Sequence, residues 1–210
     1  MNKRNYQKEL DEITDRITAD GRKQSLCLHV CCAPCSSYCM EYLCRYFDIT
    51  LLFFNPNMDS REEYDKRQTE LIRLVEEAGF PVKIELFRYE PEHFYENIKG
   101  HEGDAEGGER CFICYGLRLK KAAEFAAENG FDYFTTTLSI SPYKNAEKIN
   151  GIGEKLALEY GIKHLPSDFK KKNGYKRSIE LSREYGLYRQ DYCGCVYSRR
   201  DKERDYEKNS

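Results

Sequence analysis

Short apolar stretches alternate along the chain with longer amphipathic segments. The apolar stretches predict five strands: "SLCLHV" (25–30), "ITLLFFNPN" (49–57), "VKIELFRY" (82–89), "FDYFTTTLSI" (131–140) and "IKHLPSD" (162–168). The other segments predict a polar N-terminal helix over 3–19, a helix through Cys39 and Cys44, and helices over 60–79, 111–130 and 145–161. Strands that alternate with helices favour an α/β fold with a mostly parallel, doubly wound sheet.

The length of 210 residues fits a single domain with four segments. Residues 1–24 form the N-terminal helix, 25–168 the α/β core, 169–198 a basic, tyrosine-rich segment that contains "CGC", and 199–210 a tail. Within the core, "KGHEGDAEGGER" (99–110) breaks the pattern with four glycines and four acidic residues. It is interpreted as a mobile loop or lid.

Composition narrows the class of function. The net charge is −2, so a polyanionic partner would have to be held by a local basic patch. The charged N-terminus lacks the apolar core of a signal peptide, and no apolar run is long enough to span a membrane. We therefore expect a cytoplasmic protein without a membrane partner. In a reducing compartment its ten cysteines are more typical of metal ligands or redox groups than of structural disulfides.

Six of these cysteines form three groups far apart in the sequence. The first group directly follows the first strand, the second occupies one face at the start of a helix, and the third lies in "YCGC". Ligands bind beyond the carboxyl ends of the strands in an open α/β sheet, so we expect the three groups to converge there on a metal centre. The groups are Cys31 and Cys32, Cys111 and Cys114, and Cys193 and Cys195.

The residues alone leave the metal open. Four thiolates suit zinc or an iron–sulfur cluster. Two Cys-x-x-Cys pairs, Cys32/Cys35 with Cys111/Cys114, would satisfy a structural zinc site, although six thiols exceed what one zinc ion needs. For Cys35 a ligand role and a buried, structural role are both open. We interpret Cys27, Cys39 and Cys44 as small apolar core residues.

Five motifs together resemble the cobalamin-independent epoxyqueuosine reductase family (QueH): "HVCCAPCS", "NPN…EYDKR", "RCFICYGLRL", "TTLSISPYKN" and "YRQDYCGC". The resemblance implies a fold similar to the adenine-nucleotide α-hydrolase type. Because "CCAPCS" replaces the phosphate loop of that fold, ATP binding is not expected. The implied activity is reduction of epoxyqueuosine to queuosine at the wobble position of tRNA, with electrons from a donor.

The resemblance also implies site residues. A [4Fe–4S] cluster would be bound by Cys31, Cys32, Cys111 and Cys114. Cys193 and Cys195 would be the redox-active pair, which either cycles as a disulfide or binds a second, mononuclear iron with Cys35 as a third ligand. The disulfide is the slightly favoured alternative.

Other residues are candidates for proton transfer and RNA contact. Asp191, Tyr192, Tyr143 and Lys144 lie near the redox pair or beyond the fourth strand and are candidate proton donors. Basic residues interleaved with tyrosines predict a contact with tRNA phosphates; they are Lys170, Lys171, Lys172, Lys176, Arg177, Arg199 and Arg200. Two rival functions are a zinc-stabilised RNA-binding module without redox chemistry and a thiol or iron–sulfur oxidoreductase that acts on proteins.

Overall fold

A computed structural model of the protein describes residues 4–209, with side chains to residue 204. Five parallel strands form one sheet in the order β3–β2–β1–β4–β5. The predicted doubly wound α/β fold is confirmed. The strands are β1 (Gln24–His29), β2 (Phe47–Phe53), β3 (Val82–Leu86), β4 (Tyr133–Thr136) and β5 (Lys163–His164).

Eight helices connect and flank the strands within this part of the chain. They are α1 (Tyr6–Asp20), α2 (Ala33–Leu43), α3 (Arg61–Ala78), α4 (Glu92–Asn97), α5 (Glu109–Glu128), α6 (Ala146–Tyr160), α7 (Gly174–Glu184) and α8 (Val196–Asn209), with a 3₁₀ turn over Thr137–Ile140. Local signals set several ends. For example, the Ser60 hydroxyl accepts a hydrogen bond from the Glu63 amide (3.1 Å) and caps α3, which ends at Gly79 in the left-handed conformation.

The structure differs from the prediction mainly after residue 168. The sequence pattern predicted neither α7 nor α8, and α8 occupies most of the segment that was predicted to be a tail. The fourth strand ends four residues early because the chain turns into the 3₁₀ segment, and the fifth is only two residues long. Helix α7 packs against α2, and Arg177 forms an ion pair with Glu41 (2.6 Å), so tertiary contacts stabilise this charged segment.

Two apolar clusters lie on opposite faces of the sheet. Leu26 and Leu28 pack on the face covered by α1, α2 and α3, whereas Cys27 packs on the face covered by α5 and α6. Cys27 and Cys39 are fully buried in these clusters, and Cys44 is half-buried at the edge of the first, as the core interpretation predicts. No helix in the described part of the chain has the length and apolar character needed to cross a bilayer.

The strand order places a crevice beside β1. From β1 the chain proceeds through α2 to β2, toward one edge of the sheet. From β4 it proceeds through α6 to β5, toward the opposite edge. Neighbouring strands whose connections diverge leave an open crevice at their carboxyl ends, where ligands of such folds bind. The first cysteine after β1 lies in this crevice, with its sulfur 3.9 Å from the Thr137 hydroxyl after β4.

Candidate metal centre

The first thiol group is a compact triad. Cys31 and Cys32 follow β1 directly, and Cys35 lies at the start of α2, so that the three sulfurs lie within 4.8 Å of one another. Cys31 and Cys32 are at most 7% exposed, and their sulfurs are 3.8 Å apart. Thiolates at such spacing fit around a single metal ion. The structure thus places Cys35 beside Cys31 and Cys32, as the ligand role that the sequence left open for it requires.

The second group lies at the start of α5. Cys111 packs against the apolar cluster that contains Cys31 and Cys32, and its sulfur accepts a hydrogen bond from the Gly107 amide (3.3 Å). Cys114 is buried one helical turn further and packs with Cys193 and Cys195. The second group therefore belongs to apolar clusters that contain members of both other groups.

The third group is a short loop before α8, in which the sulfurs of Cys193 and Cys195 are 3.6 Å apart. Both cysteines are free thiols at this separation, so the structure does not support the disulfide between them. The Cys195 sulfur accepts a hydrogen bond from the Ser198 amide (3.4 Å). The loop is attached to the rest of the protein by the Asp59 amide, which donates to the Gly194 carbonyl (2.8 Å).

The segment 99–110, interpreted as a mobile loop or lid, contacts the start of α8 next to this loop. The Ser198 hydroxyl donates to the Glu106 carboxylate (3.1 Å). Asp104 accepts from the Arg110 backbone amide (3.0 Å), and the Arg110 guanidinium donates in turn to the Asp104 carbonyl. These contacts position the start of α5, and with it the second thiol group, next to the C-terminal one.

One cleft of about 700 Å³ connects the first and third groups. Cys31, Cys32, Cys35 and Cys193 line its wall. The four candidate proton donors line it as well; they are Tyr143, Lys144, Asp191 and Tyr192. The predicted convergence of distant cysteines on the switch-point crevice is confirmed for the first and third groups by this shared wall.

Three cationic side chains lie among the sulfurs. Arg67 is 1% exposed and Arg118 3% exposed, and Lys144 is half-buried at the cleft. The Arg118 Nε donates to the Cys114 carbonyl (3.2 Å). Burial lowers the pKa of Lys144, but electrostatic interactions, the largest of them with Cys193, raise it overall, so this ammonium stays protonated at neutral pH.

The same environment favours a thiolate at two of the cysteines, one in the first group and one in the third. Hydrogen bonds from Cys32 and Cys35 hold the pKa of Cys31 well below its usual range, and a hydrogen bond from Cys195 does so for Cys193. Lys144 and Arg118 lower both values further. By contrast, burial alone raises the pKa of Cys27 to about 12. Thiolates are the form that binds metal, and Cys31 and Cys193 are the two thiols at the cleft that favour it. The hydrogen bond to Cys31 in turn raises the pKa of Cys32 to about 12, and burial raises that of Cys114 to about 11.

The predicted basic segment is largely neutralised by ion pairs within the protein. The pairs are Lys170–Asp168 (2.5 Å), Lys172–Asp11 (2.6 Å), Arg177–Glu41 (2.6 Å) and Arg199–Asp59 (2.8 Å). Within the described residues, Lys171 and Lys176 are exposed and form no ion pair. Lys171 and Lys144 line a second cavity of about 980 Å³, which borders the cleft at Tyr143 and Lys144. Four of the seven predicted basic residues are thus engaged in ion pairs, and a contact of this segment with tRNA stays a prediction.

Sequence reasoning missed the buried cations and the carboxylate beside them. Arg67, Arg118 and Asp59 each lie in or next to a motif that carried the family resemblance, but none was assigned a role. A signal was present, because Glu63 and Arg67 are spaced four residues apart on the face of α3 that carries Leu71 and Leu74. Charged residues on the apolar face of a helix indicate a buried pair.

Comparison with known proteins agrees with the motifs. The family described as "Epoxyqueuosine reductase QueH" matches residues 26–201. A protein of that name from Streptococcus pyogenes is 42% identical over 198 residues, 92% of this chain and 78% of that protein. Another from Staphylococcus epidermidis is 42% identical over 200 residues, 92% of this chain and 84% of the relative. A third from Thermotoga maritima is 35% identical over 175 residues, covering 81% and 88%. The chain belongs to the epoxyqueuosine reductase QueH family.

Proposed function

We propose that this protein reduces epoxyqueuosine to queuosine at the wobble position of tRNA. The observation that carries the proposal is the shared cleft, in which thiols from both ends of the sequence meet beside buried cations. The relatives named epoxyqueuosine reductase at about 40% identity support the substrate.

The reaction sets three requirements on the site. Conversion of an epoxide to an alkene breaks two C–O bonds, consumes two electrons and two protons, and releases water. The protein must therefore bind a group that carries electrons, hold the epoxide next to that group, and deliver protons to the oxygen.

We infer that the electron carrier is a [4Fe–4S] cluster bound by Cys31, Cys32, Cys111 and Cys114. Each thiolate of such a cluster binds a different iron, so the four sulfurs need not surround one ion. The burial of Cys31, Cys32 and Cys114 and the neighbouring cations fit a negatively charged thiolate centre. Cys35, Cys193 and Cys195 remain as ligands for a second, mononuclear iron. When bound, the cluster would supply single electrons and the open iron would act as a Lewis acid.

Lys144 is the best-placed proton donor. Its ammonium is protonated at neutral pH and lines the cleft together with Cys31 and Cys193. An oxygen that leaves carbon as an alkoxide is far more basic than an amine, so proton transfer from lysine is favourable. Tyr192 also lines the cleft, but its hydroxyl is engaged with Asp59 (3.3 Å) and Arg199 (2.8 Å). Lys144 is free of such partners among the described residues.

The cleft also has features of an RNA-binding surface. Tyr143 is 75% exposed where the cleft borders the second cavity, and Lys171 lies in that cavity. A base flipped out of its stack can pack on an aromatic ring while lysines contact the adjacent phosphates. We infer that the modified nucleotide enters the cleft past Tyr143.

The test is anaerobic reconstitution with iron and sulfide, followed by mass spectrometry of nucleosides from epoxyqueuosine-bearing tRNA with dithionite as the electron donor. We expect wild-type protein to convert the modified base. Cys193→Ala and Cys195→Ala should keep the broad absorption of the cluster near 400 nm but lose turnover. Cys44→Ala, which removes a half-buried thiol away from the cleft, is the matched control and should retain both.

Total iron distinguishes the roles of the third thiol group. A mononuclear site predicts about one iron fewer per chain in Cys193→Ala and Cys195→Ala, and the same loss in Cys35→Ala. A dithiol that only stores electrons predicts unchanged iron in all three. A colourless, zinc-containing protein that binds tRNA without converting it would replace the proposal with the zinc-stabilised RNA-binding module.

A further inference from the structure

The "EYDKR" segment of α3 has no role in the proposed function, yet two of its charged residues are buried. The Arg67 side chain is 1% exposed, and its Nε donates to the Glu63 carboxylate at 2.6 Å. Glu63 also accepts a hydrogen bond from the Tyr188 hydroxyl (3.1 Å). Removing an ion pair from water carries a desolvation cost that the attraction between the two ions alone seldom recovers. The other contacts of Arg67 therefore need to be considered.

Arg67 contacts the loop of the third thiol group. Its Nη1 donates to the Cys193 carbonyl (3.3 Å), and its guanidinium lies 5.4 Å from the centre of the Tyr192 ring. A side chain on Gly194 would approach Nη1 to 3.0 Å. The loop is therefore in direct contact with the guanidinium.

The same guanidinium faces the first thiol group. Arg67 lines the cleft with Cys31, Cys32 and Cys35, and its Nη2 is shielded from solvent without a hydrogen-bond partner among the described residues. Arg67 therefore contacts the loop of the third thiol group and shares the wall of the cleft with the first.

We propose that Arg67 is a positioning residue of the metal centre, which holds the Cys193–Cys195 loop against the first thiol group and supplies the centre with a positive charge and a hydrogen-bond donor. The proposal rests on the proposed function in that it takes the centre to contain iron and sulfur. The open Nη2 group suits a thiolate or an inorganic sulfide, both of which accept hydrogen bonds. Positive charge and hydrogen bonds to sulfur favour the reduced, more negative state of such a centre.

The charge component is tested by the midpoint potential of the reconstituted protein. Arg67→Gln removes the positive charge and should disfavour reduction by about tenfold in the equilibrium constant, which is 59 mV for a one-electron couple. Glu63→Gln removes the compensating negative charge and should shift the potential in the opposite direction. Arg61→Gln removes an exposed arginine of the same helix that pairs with Asp65, and should leave the potential unchanged.

The anchoring component is tested in metal-free protein by hydrogen exchange of residues 190–198. Arg67→Gln should increase exchange in this segment, because the loop loses its contact with Nη1, whereas Arg61→Gln should not. Arg67→Lys keeps the charge without the planar fork, so it should increase exchange but retain a potential close to that of wild type. This variant also serves if Arg67→Gln does not fold.

The outcomes separate this proposal from the proposed function. If wild-type protein binds no iron–sulfur centre, the proposed function fails. If wild type binds the centre but Arg67→Gln and Glu63→Gln share its potential, or if both Arg67 variants exchange as wild type does, the role of Arg67 is refuted and the proposed function stands. Opposite potential shifts together with faster exchange of residues 190–198 would establish the role.

Discussion

Gly194 is the residue of the Cys-Gly-Cys loop at which a single methyl group should have the largest effect. Its φ is +109°, a conformation that residues with a side chain rarely adopt. A Cβ atom there would lie 2.5 Å from the Met58 sulfur and 3.0 Å from the Arg67 Nη1. Met58 and Arg67 are both essentially buried, so neither has free space to move into. Gly194→Ala should therefore displace the loop.

The cost follows from two sources. The backbone conformation costs on the order of 1–3 kcal/mol for a residue with a Cβ atom. Overpacking against buried neighbours costs about 1–3 kcal/mol more. Since about 1.4 kcal/mol is a factor of ten, a sum of roughly 3 kcal/mol increases the undocked population of the loop about a hundredfold. The loop lies near the end of the described chain, so we expect local undocking rather than global unfolding.

Hydrogen exchange and iron content measure this effect. In Gly194→Ala, amides of residues 190–198 should lose about a hundredfold in protection, while the urea midpoint of the whole protein changes little. Turnover of epoxyqueuosine should fall with the protection. Gly161→Ala is the control, because its φ is +64° and no atom lies within 4 Å of the added methyl group. Wild-type exchange and turnover in Gly194→Ala would refute the argument that this loop must stay docked.

Three further predictions concern the ligands, the RNA surface and the histidines. Cys31→Ala, Cys32→Ala, Cys111→Ala and Cys114→Ala should each lose cluster iron and sulfide on anaerobic reconstitution, because three thiolates bind the cluster more weakly; normal content in all four would contradict the ligand set. Replacing Lys171 and Lys176 with glutamine should flatten the salt dependence of tRNA binding, by at most about 1.4 in log–log slope for two single-strand phosphate contacts; Lys172→Gln, whose charge is already paired with Asp11, should change the slope less. Burial lowers the pKa of His29 to about 4 and that of His164 to about 3. Both rings therefore stay neutral in the folded protein while they gain a proton in the unfolded chain below its pKa of 6.5. As the pH falls below 6.5, each histidine lowers the free energy of unfolding by up to about 1.4 kcal/mol per pH unit. His164→Leu should make urea-measured stability less pH-dependent between pH 6.5 and 4.5, since neither ring nitrogen of His164 has a hydrogen-bond partner among the described residues; an unchanged pH slope would contradict this assignment.

The sequence by itself determined the elements of the core and the edge at which the chemistry occurs. Five apolar segments alternate with helical ones, and this pattern depends only on which side chains can be buried at each local period. The strand ends were less well predicted, as with the fourth, which turns into a 3₁₀ segment at Thr137. Because parallel strands all end at one edge, the position of Cys31 and Cys32 directly after a strand was enough to place them in the crevice.

Only the tertiary structure decided which residues surround those thiols. Cys35 lies beside Cys31 and Cys32 because α2 begins at Ala33, soon after β1 ends at His29. Arg67 lines the cleft because it lies on the buried face of α3. The ion pairs that neutralise Lys172 and Arg177 join residues 161 and 136 positions apart. Helix α7 depends in the same way on packing against α2. Local periodicity indicates which face of a helix or strand is buried. The segment that covers this face depends on packing between residues far apart in the sequence. For this reason the charged residues around the thiols could not be identified from the sequence alone.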